Sequence, residues 1–164
     1  MKYPNKLKQR IRSEELLLGS VLPAPHSFTA AVVCGADIDF MWIDTEHSSY
    51  SIEDLDMVPV IARQRGVAPM IRVAWNDPAL IKKAYDIGAV AVMVPQINTA
   101  EEAEKAVQYA RYAPEGQRGI SPYWAMLAGL DFNDVVRSAN EETVLVLQIE
   151  SKEAYENIDE IAKV

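Results

Sequence analysis

The sequence Asp44-Thr45-Glu46-His47 follows directly on the apolar run 40–43 and contains one of only two histidines in the chain. An imidazole accepts or donates a proton near neutral pH, and an adjacent carboxylate can hold it in the orientation that this transfer needs. His47 is therefore a candidate general base. Asp44 is a candidate for the carboxylate that orients its ring.

Three other apolar runs also end in polar or charged side chains. The runs 68–73, 89–95 and 143–150 have the Val, Ile and Met content of strands that are buried on both faces. In parallel α/β folds the catalytic side chains gather at the carboxyl ends of the strands, so these groups are expected at one rim with Asp44 and His47. They are Arg72, Gln96, Gln148 and Glu150.

The residue types at this rim suit proton abstraction beside a carbonyl group that a metal ion chelates. Glu150 provides the oxygen ligand that Mg²⁺ or Mn²⁺ prefers, with water and substrate completing the coordination. Arg72 can bind a substrate carboxylate or stabilise a developing oxyanion. A Schiff-base mechanism is disfavoured because no lysine lies at the end of a strand candidate. The serine after His47 does not lie in a nucleophile-elbow sequence.

Several of these residues also have a purely structural interpretation. Asp44 and Glu46 are compatible with solvated loop acids, and His47 with a surface histidine. Arg72 is compatible with a structural ion pair to a neighbouring acid. The occurrence of all of these groups at one rim favours the functional interpretation.

The alternation of side chains along the run 143–150 separates its two faces. The odd positions from Leu145 to Ile149 form an apolar face that is expected to meet helices. The other face becomes polar only at its carboxyl end, with Gln148 and Glu150. Glu150 can also favour the dipole of a helix that begins after it, whereas a buried amide such as Gln148 needs hydrogen-bond partners.

Strand candidates alternate with stretches that carry helix-start signals, which indicates a parallel α/β sheet. The six strand candidates are 16–22, 39–44, 68–73, 89–95, 118–122 and 143–150. One helix is expected between the first two strands. The capping signals that start later helices are Ser51, Asp77, Thr99 and Ser151. The first of these helices is expected to run to about residue 65, and the last to continue through "DEIAKV".

The length and composition of the chain are those of one ordinary globular domain. The chain has 164 residues, of which 49% are hydrophobic and 24% charged, and its formal net charge is −8. An acidic surface argues against nucleic acid and anionic membranes as partners. Cys34 is the only cysteine, so an internal disulfide is excluded. With no secretory signal and no apolar run of about 20 residues, we expect a reduced, cytoplasmic protein with a single domain at 1–164.

Two α/β architectures are compatible with this pattern. A flavodoxin-like open sheet fits the length, whereas a complete (β/α)₈ barrel needs about 250 residues. The sequence contains neither the Gly-rich dinucleotide fingerprint nor a P-loop. The chain ends within a predicted helix that no strand follows, which indicates an incomplete barrel of about six βα units.

Four stretches, in order along the chain, resemble the HpcH/HpaI aldolase family of metal-dependent class II pyruvate aldolases. They are DFMWIDTEHSSYSIEDL, MIRVAWNDPALIKKAYDIGAVAVMVPQINTAEEAEKAV, YAPEGQRGISPYW and VLVLQIES. The resemblance covers the chain from about residue 15 to its end. It implies a (β/α)₈ TIM barrel, here truncated, and a divalent metal, Mg²⁺, Mn²⁺ or Co²⁺. It also implies reversible cleavage of 4-hydroxy-2-oxo acids to pyruvate and an aldehyde.

The resemblance further implies roles for individual residues. His47 would be the acid/base that removes the proton of the 4-hydroxyl group, with Asp44 as its partner. Arg72 would hold the pyruvate moiety. Glu150 would ligate the metal, with Gln148 beside it.

Family members are commonly hexamers, so the resemblance implies a homo-oligomer in which Asp86 lies near the site of a neighbouring subunit. They also continue to a strand with a second metal-ligating Asp, so we expect an incomplete domain whose metal site has one carboxylate arm. An inactive fragment that only binds or assembles is one alternative. Another is a decarboxylase or a citrate-lyase-like enzyme acting on a CoA ester. Tyr123 and Trp124 either line the site or pack.

Overall fold

The chain winds a parallel β-sheet whose strands follow one another in sequence order. The computed structural model describes residues 6–164. Within that part of the chain the sheet has five strands in the order β1-β2-β3-β4-β5, and every neighbouring pair is parallel. The strands are β1 Gly19–Val21, β2 Phe40–Asp44, β3 Ala68–Arg72, β4 Ala91–Val94 and β5 Val144–Leu147.

The consecutive order decides between the two architectures that the sequence left open. In a flavodoxin-like sheet the strands do not lie in sequence order, because their order across the sheet is 2-1-3-4-5. In this sheet each strand instead lies beside the one that precedes it in the chain, as in the wall of a (β/α) barrel. The open-sheet alternative is therefore wrong.

Helices precede, connect and follow the strands, and the helices between strands cover one face of the sheet. They are α1 Lys6–Arg12, α2 Ser27–Val33, α3 Val58–Gln64, α4 Pro78–Asp86, α5 Ala100–Ala110, α6 Trp124–Leu127, α7 Phe132–Glu142, α8 Lys152–Glu156 and α9 Ile158–Ile161. A 3₁₀ turn at Ile52–Leu55 precedes α3. No helix of residues 6–164 combines the length and apolar character needed to cross a bilayer.

Three of the predicted helix caps are made as the sequence indicated. The Asp77 carboxylate accepts the N–H groups of the second and third residues of α4, which satisfies donors that a helix start leaves without partners. Thr99 and Glu102 form a reciprocal capping box at the start of α5. Ser151 accepts the N–H of Ala154 at the start of α8.

The weak strand candidate 118–122 is not a strand. Its backbone bonds to the end of α5, because the N–H of Gln117 donates to the carbonyl of Gln108 and the N–H of Arg118 donates to that of Arg111. The segment therefore pairs with a helix end and not with the sheet. The count of six strands was one too high for the described residues.

Two predicted helices are interrupted. The helix expected from residue 51 to 65 breaks at Asp56, which has a φ of 38°, and restarts as α3. The C-terminal helix breaks at Asn157 into α8 and α9, and the Asn157 side chain donates to the carbonyl of Asn98. A local tertiary bond replaces helix continuity at this point.

The two faces of the sheet pack into separate clusters. The helix-side cluster contains Met41, Ile43 and Ile71, and Leu145, Leu147 and Ile149 pack against it. The inner cluster contains Ala68, Met70 and Ala91, with Phe40, Trp42, Met93, Val144 and Val146 packed against it. The predicted parity of the last strand is therefore confirmed. Leu7 of α1 joins the inner cluster.

Candidate active site at the strand ends

An ion pair joins the carboxyl ends of β2 and β3. Asp44 ends β2 and lies directly opposite Arg72, which ends β3. The Arg72 Nε donates to Asp44 Oδ1 at 3.0 Å and its Nη2 donates to Oδ2 at 2.6 Å. This side-on, two-bond geometry is the strongest form of an arginine–carboxylate contact. The register of two parallel strands therefore builds the centre of the rim.

A second carboxylate contacts the same guanidinium. The Glu46 Oε2 atom lies 3.2 Å from Arg72 Nη1, in an alignment that makes an ion pair without a hydrogen bond. The chain reaches this position because it turns around Asp44, whose Oδ1 accepts the backbone N–H groups of Glu46 and His47 at 3.0 and 3.3 Å. The side chains of Arg72 and Glu46 are each only 9% exposed.

The charges in this cluster shift the pKa values of their neighbours. Burial alone would raise the pKa of Asp44, but hydrogen bonds from Arg72 and from the backbone of Glu46 and His47 outweigh it, so the pKa lies below its usual value. The hydrogen bond with Asp44 raises the pKa of Arg72, with smaller contributions from the charges of Glu46 and Glu150. Both groups of the central pair are thus held in their charged forms.

His47 lies beside this cluster with its ring in solvent. The imidazole is 72% exposed, and its Nε2 lies 3.7 Å from Glu46 Oε1. The Asp44 carboxylate accepts hydrogen bonds from the backbone N–H of His47 and from the Arg72 guanidinium. Glu46 lies beside the ring at a distance too long for a hydrogen bond, and the orienting role of Asp44 stays a prediction.

An aromatic ring lies beneath the guanidinium. Trp42 precedes Asp44 by two residues on β2 and therefore shares its inner face. The Arg72 Cζ atom lies over the Trp42 ring, 5.1 Å from the centroid, within the range of a cation–π contact. Trp42 is not among the predicted site residues, although its strand parity with Asp44 is the signal that could have identified it.

The segments that follow β4 and β5 place a third carboxylate, that of Glu150, at the rim. Two neutral groups donate hydrogen bonds to it. Glu150 Oε1 accepts the backbone N–H of Gln96 at 2.9 Å, and Oε2 accepts the Gln148 amide at 2.7 Å. Gln96 has a φ of 53°, a conformation that costs a residue with a side chain about 1 kcal/mol. The predicted rim residues of β4 and β5 therefore do meet, through a strained backbone amide and a side-chain amide.

The donor atoms around Glu150 are suited to a hard divalent cation. Gln148 Oε1 is buried and has no hydrogen-bond partner among the described residues, although buried amide oxygens normally have one. Carboxylate and amide oxygens are ligands that Mg²⁺ and Mn²⁺ accept, and Mg²⁺ sites often use one or two carboxylates with water and substrate. No group of three His, Cys, Asp or Glu side chains within residues 6–164 is placed to hold a metal. The residues present fit one side of such a site.

Three other residues singled out in the sequence lie away from the rim. Asp86 ends α4, which runs from the carboxyl end of β3 back to the start of β4 and so places Asp86 at the opposite end of the sheet. Burial raises its pKa to about 7. Trp124 is buried with its ring 3.8 Å from the Arg63 guanidinium carbon, so it packs. Tyr123 is partly exposed.

A family model describes most of this chain. The model of the HpcH/HpaI aldolase/citrate lyase family matches residues 19–164. The chain belongs to the HpcH/HpaI aldolase/citrate lyase family. The predicted family is therefore confirmed. The five-stranded parallel sheet is consistent with the TIM-barrel-like folds of its structural neighbours.

Named relatives in this family are aldolases. A pyruvate aldolase of Rhizobium etli is 36% identical over 165 residues, which cover 98% of this chain and 63% of the relative. A 2-keto-3-deoxy-L-rhamnonate aldolase of Salmonella gallinarum is 34% identical over 161 residues, which cover 98% of this chain and 60% of the relative. The chain thus spans about three fifths of the length of the curated relatives it matches.

Solved structures of the family have the same fold over this region. A HpcH/HpaI aldolase/citrate lyase family protein from Burkholderia cenocepacia matches with a TM-score of 0.84 and 29% identity, covering 96% of this chain and 64% of that chain. The citrate synthase SbnG matches with a TM-score of 0.83 and 29% identity, covering 98% of this chain and 62% of that one. The fold is therefore shared by enzymes that are named for different carbon–carbon bond reactions.

Proposed function

We propose that this chain carries the pyruvate-binding part of a class II aldolase that cleaves or forms 4-hydroxy-2-oxo acids. The observation that supports this most directly is the rim itself. It places the fixed guanidinium of Arg72 within electrostatic reach of the Glu150 carboxylate. A 2-oxo acid carries a carboxylate next to a ketone, and these two groups suit a guanidinium and a bound cation side by side.

Each rim residue has a distinct part in this proposal. Arg72 binds the substrate carboxylate through N–H groups that are not bonded to Asp44. Asp44 and Glu46 hold the guanidinium in place and compensate its charge. Glu150 and Gln148 would hold the divalent cation, Mg²⁺, Mn²⁺ or Co²⁺, which supplies positive charge for the keto oxygen when it is bound.

His47 is the proposed acid/base of the reaction. In cleavage, the proton of the 4-hydroxyl group goes to His47 directly or through one water, the bond between C3 and C4 breaks, and its electron pair stays on C3. The aldehyde leaves, and C3 then takes up a proton from the protonated His47, directly or through one water, to give pyruvate. The exposure of the imidazole keeps it accessible to a substrate at the rim.

We also propose a domain organisation, a class of partner, a location and an oligomeric state for this protein. We propose a single domain at 1–164, a small-molecule oxo acid or aldehyde as its partner, and a cytoplasmic homo-oligomer of hexameric size. Its acidic net charge supports the absence of nucleic acid and membrane partners. Asp86 lies far from the rim of its own chain, so it could reach a site only in a neighbouring subunit.

Exchange of the pyruvate methyl protons for deuterium, followed by NMR, tests this function. We expect exchange with Mn²⁺ that stops with EDTA and in His47→Ala. The matched control is His26→Ala, which changes the chain's other histidine and should leave the exchange intact. A chain that binds pyruvate and Mn²⁺ but exchanges no protons would contradict the proposal and favour a fragment that only binds or assembles.

A citrate-lyase-like or decarboxylase reaction is the second candidate. The fold match with the citrate synthase SbnG favours it, because that enzyme is named for a different carbon–carbon bond reaction. Assays with free 4-hydroxy-2-oxo acids and with CoA thioesters separate the candidates. Turnover of free acids alone supports the aldolase, and turnover of thioesters or loss of CO₂ supports the alternative.

A further inference from the structure

Trp42 is placed to control the orientation of the Arg72 guanidinium. Its ring belongs to the inner face of the sheet and packs with the inner cluster. The guanidinium carbon lies over that ring at 5.1 Å from its centroid, and cation–π attraction acts within about 6 Å. Arg72 therefore has an aromatic surface on one face, in addition to the two carboxylates at its edge.

The two kinds of contact restrict different motions. The side-on bonds to Asp44 fix the guanidinium within the plane of that carboxylate. They restrain less strongly a tilt of the guanidinium plane about the line through the two carboxylate oxygens. A ring face beneath the guanidinium opposes this tilt, because the attraction depends on the cation lying over the ring.

The buried indole N–H makes Trp42 energetically less favourable than an apolar side chain if its role is packing alone. Trp42 Nε1 is buried and has no hydrogen-bond partner within the described part of the chain. An unpartnered buried donor is unfavourable, and indole N–H groups are usually paired when buried. An aliphatic side chain such as those of Met70 or Val146, which line the same cluster, would fill the space without that cost.

We propose that Trp42 is a positioning residue for Arg72. Its ring sets the tilt of the guanidinium so that the N–H groups not bonded to Asp44 point at the carboxylate of a 2-oxo acid. The inference rests on the proposed function for the identity of that ligand. It does not depend on turnover, since it concerns the geometry of a cation and its affinity for an anion.

Binding of pyruvate and of its uncharged methyl ester, measured by NMR titration, tests the proposal. Trp42→Leu should weaken pyruvate binding about tenfold, and Trp42→Phe, which keeps a ring, about two- to threefold. Methyl pyruvate binding should be unchanged in both variants. Combining Trp42→Leu with Arg72→Lys should weaken pyruvate binding no further than Arg72→Lys alone. Trp75→Leu is the matched control, because Trp75 is exposed in the loop after β3.

Equal weakening of both ligands in Trp42→Leu would show a merely structural role and overturn the proposal, as would unchanged pyruvate binding. If Trp42→Leu does not fold, the ratio of the two affinities in Trp42→Phe decides. The NMR signal of the Arg72 Nε–H gives a readout without any ligand. Its ring-current shift should be present in the wild-type protein and lost in a Trp42 variant without a ring. A wild-type protein with this shift but no affinity for pyruvate would contradict the proposed function while supporting the positioning role.

Discussion

The two halves of the rim hold their carboxylates in different ways. On β2 and β3, Asp44 and Glu46 share the guanidinium of Arg72, so their charges are compensated within the chain. On β4 and β5, Glu150 is held by the backbone N–H of Gln96 and the amide of Gln148, which are both neutral. Neither partner neutralises a carboxylate, and an uncompensated carboxylate is what a site for a cation requires.

We therefore expect folding and metal binding to depend on different halves of the rim. The β2–β3 half should be needed for folding, because removing its cation leaves two poorly exposed carboxylates together. The β4–β5 half should be needed for metal binding and contribute less to folding.

Arg72→Leu should lower the free energy of unfolding by about 3–5 kcal/mol, the usual effect of breaking a buried ion pair from one side. The side chains of Arg72 and Glu46 are both nearly buried, so water cannot replace the lost cation. Urea unfolding followed by circular dichroism measures the change. The control, Arg137→Leu, removes an exposed arginine that pairs with Asp134 and should change stability by less than about 0.5 kcal/mol. Similar values for the two variants would contradict the account.

The pH dependence of stability should contain a contribution from Asp86, outside the rim. Its folded-state pKa of about 7 lies above the usual value because of burial. The folded state then binds more protons than the unfolded state between about pH 4 and 7, so stability falls as pH rises through this window, by a few kcal/mol. Unfolding at several pH values should show this fall in the wild-type protein and not in Asp86→Asn. The same slope in both proteins would show that Asp86 does not cause it.

Asp44 should produce the opposite dependence at lower pH. Its folded-state pKa is lowered, so its stabilising contribution is present above the unfolded-state value of about 3.9 and is lost as pH falls through the folded-state pKa. Unfolding measurements below pH 5 should show a smaller loss of stability in Asp44→Asn than in the wild-type protein. An equal loss would place the acid sensitivity on other carboxylates.

The smallest expected effect concerns the strained backbone of the β4–β5 half. Gln96→Gly should raise stability by up to about 1 kcal/mol, because glycine adopts a positive φ without steric cost. The N–H that holds Glu150 is retained, so Mn²⁺ affinity should stay the same. Thermal unfolding together with Mn²⁺ titration measures both quantities. Reduced stability would show that the Gln96 side chain has a role that its exposed position does not indicate.

The two faces of the last strand and the helix caps could be predicted because they depend on short-range rules. The parity of residues 143–150 followed from the alternation of side chains, and the caps at Asp77 and Thr99 followed from residue type and spacing. Helix α7 was missed although Asp131 caps it in the same way, with its side chain accepting the N–H of Asp134. Its start signal was present in the sequence and was not used.

The contacts that give the rim its character depend on tertiary geometry. Asp44 and Arg72 are 28 residues apart, and their pairing follows from the register of two strands. The position of Glu46 follows from the way the chain turns around Asp44. No local sequence pattern shows that the Asp44 carboxylate, which was predicted to orient His47, bonds to the Arg72 guanidinium.

A Mn²⁺ titration followed by electron paramagnetic resonance tests the central distinction most directly. The account predicts one Mn²⁺ site per chain that Glu150→Gln weakens by about a hundredfold or more, since removing a ligand should cost at least as much as removing an outer partner. Asp44→Asn and the exposed control Glu153→Gln should leave that site nearly unchanged. Unaltered Mn²⁺ binding in Glu150→Gln would contradict the proposal that the β4–β5 half binds the cation. Equal losses of Mn²⁺ affinity in Glu150→Gln and Asp44→Asn would contradict the separation of the two halves.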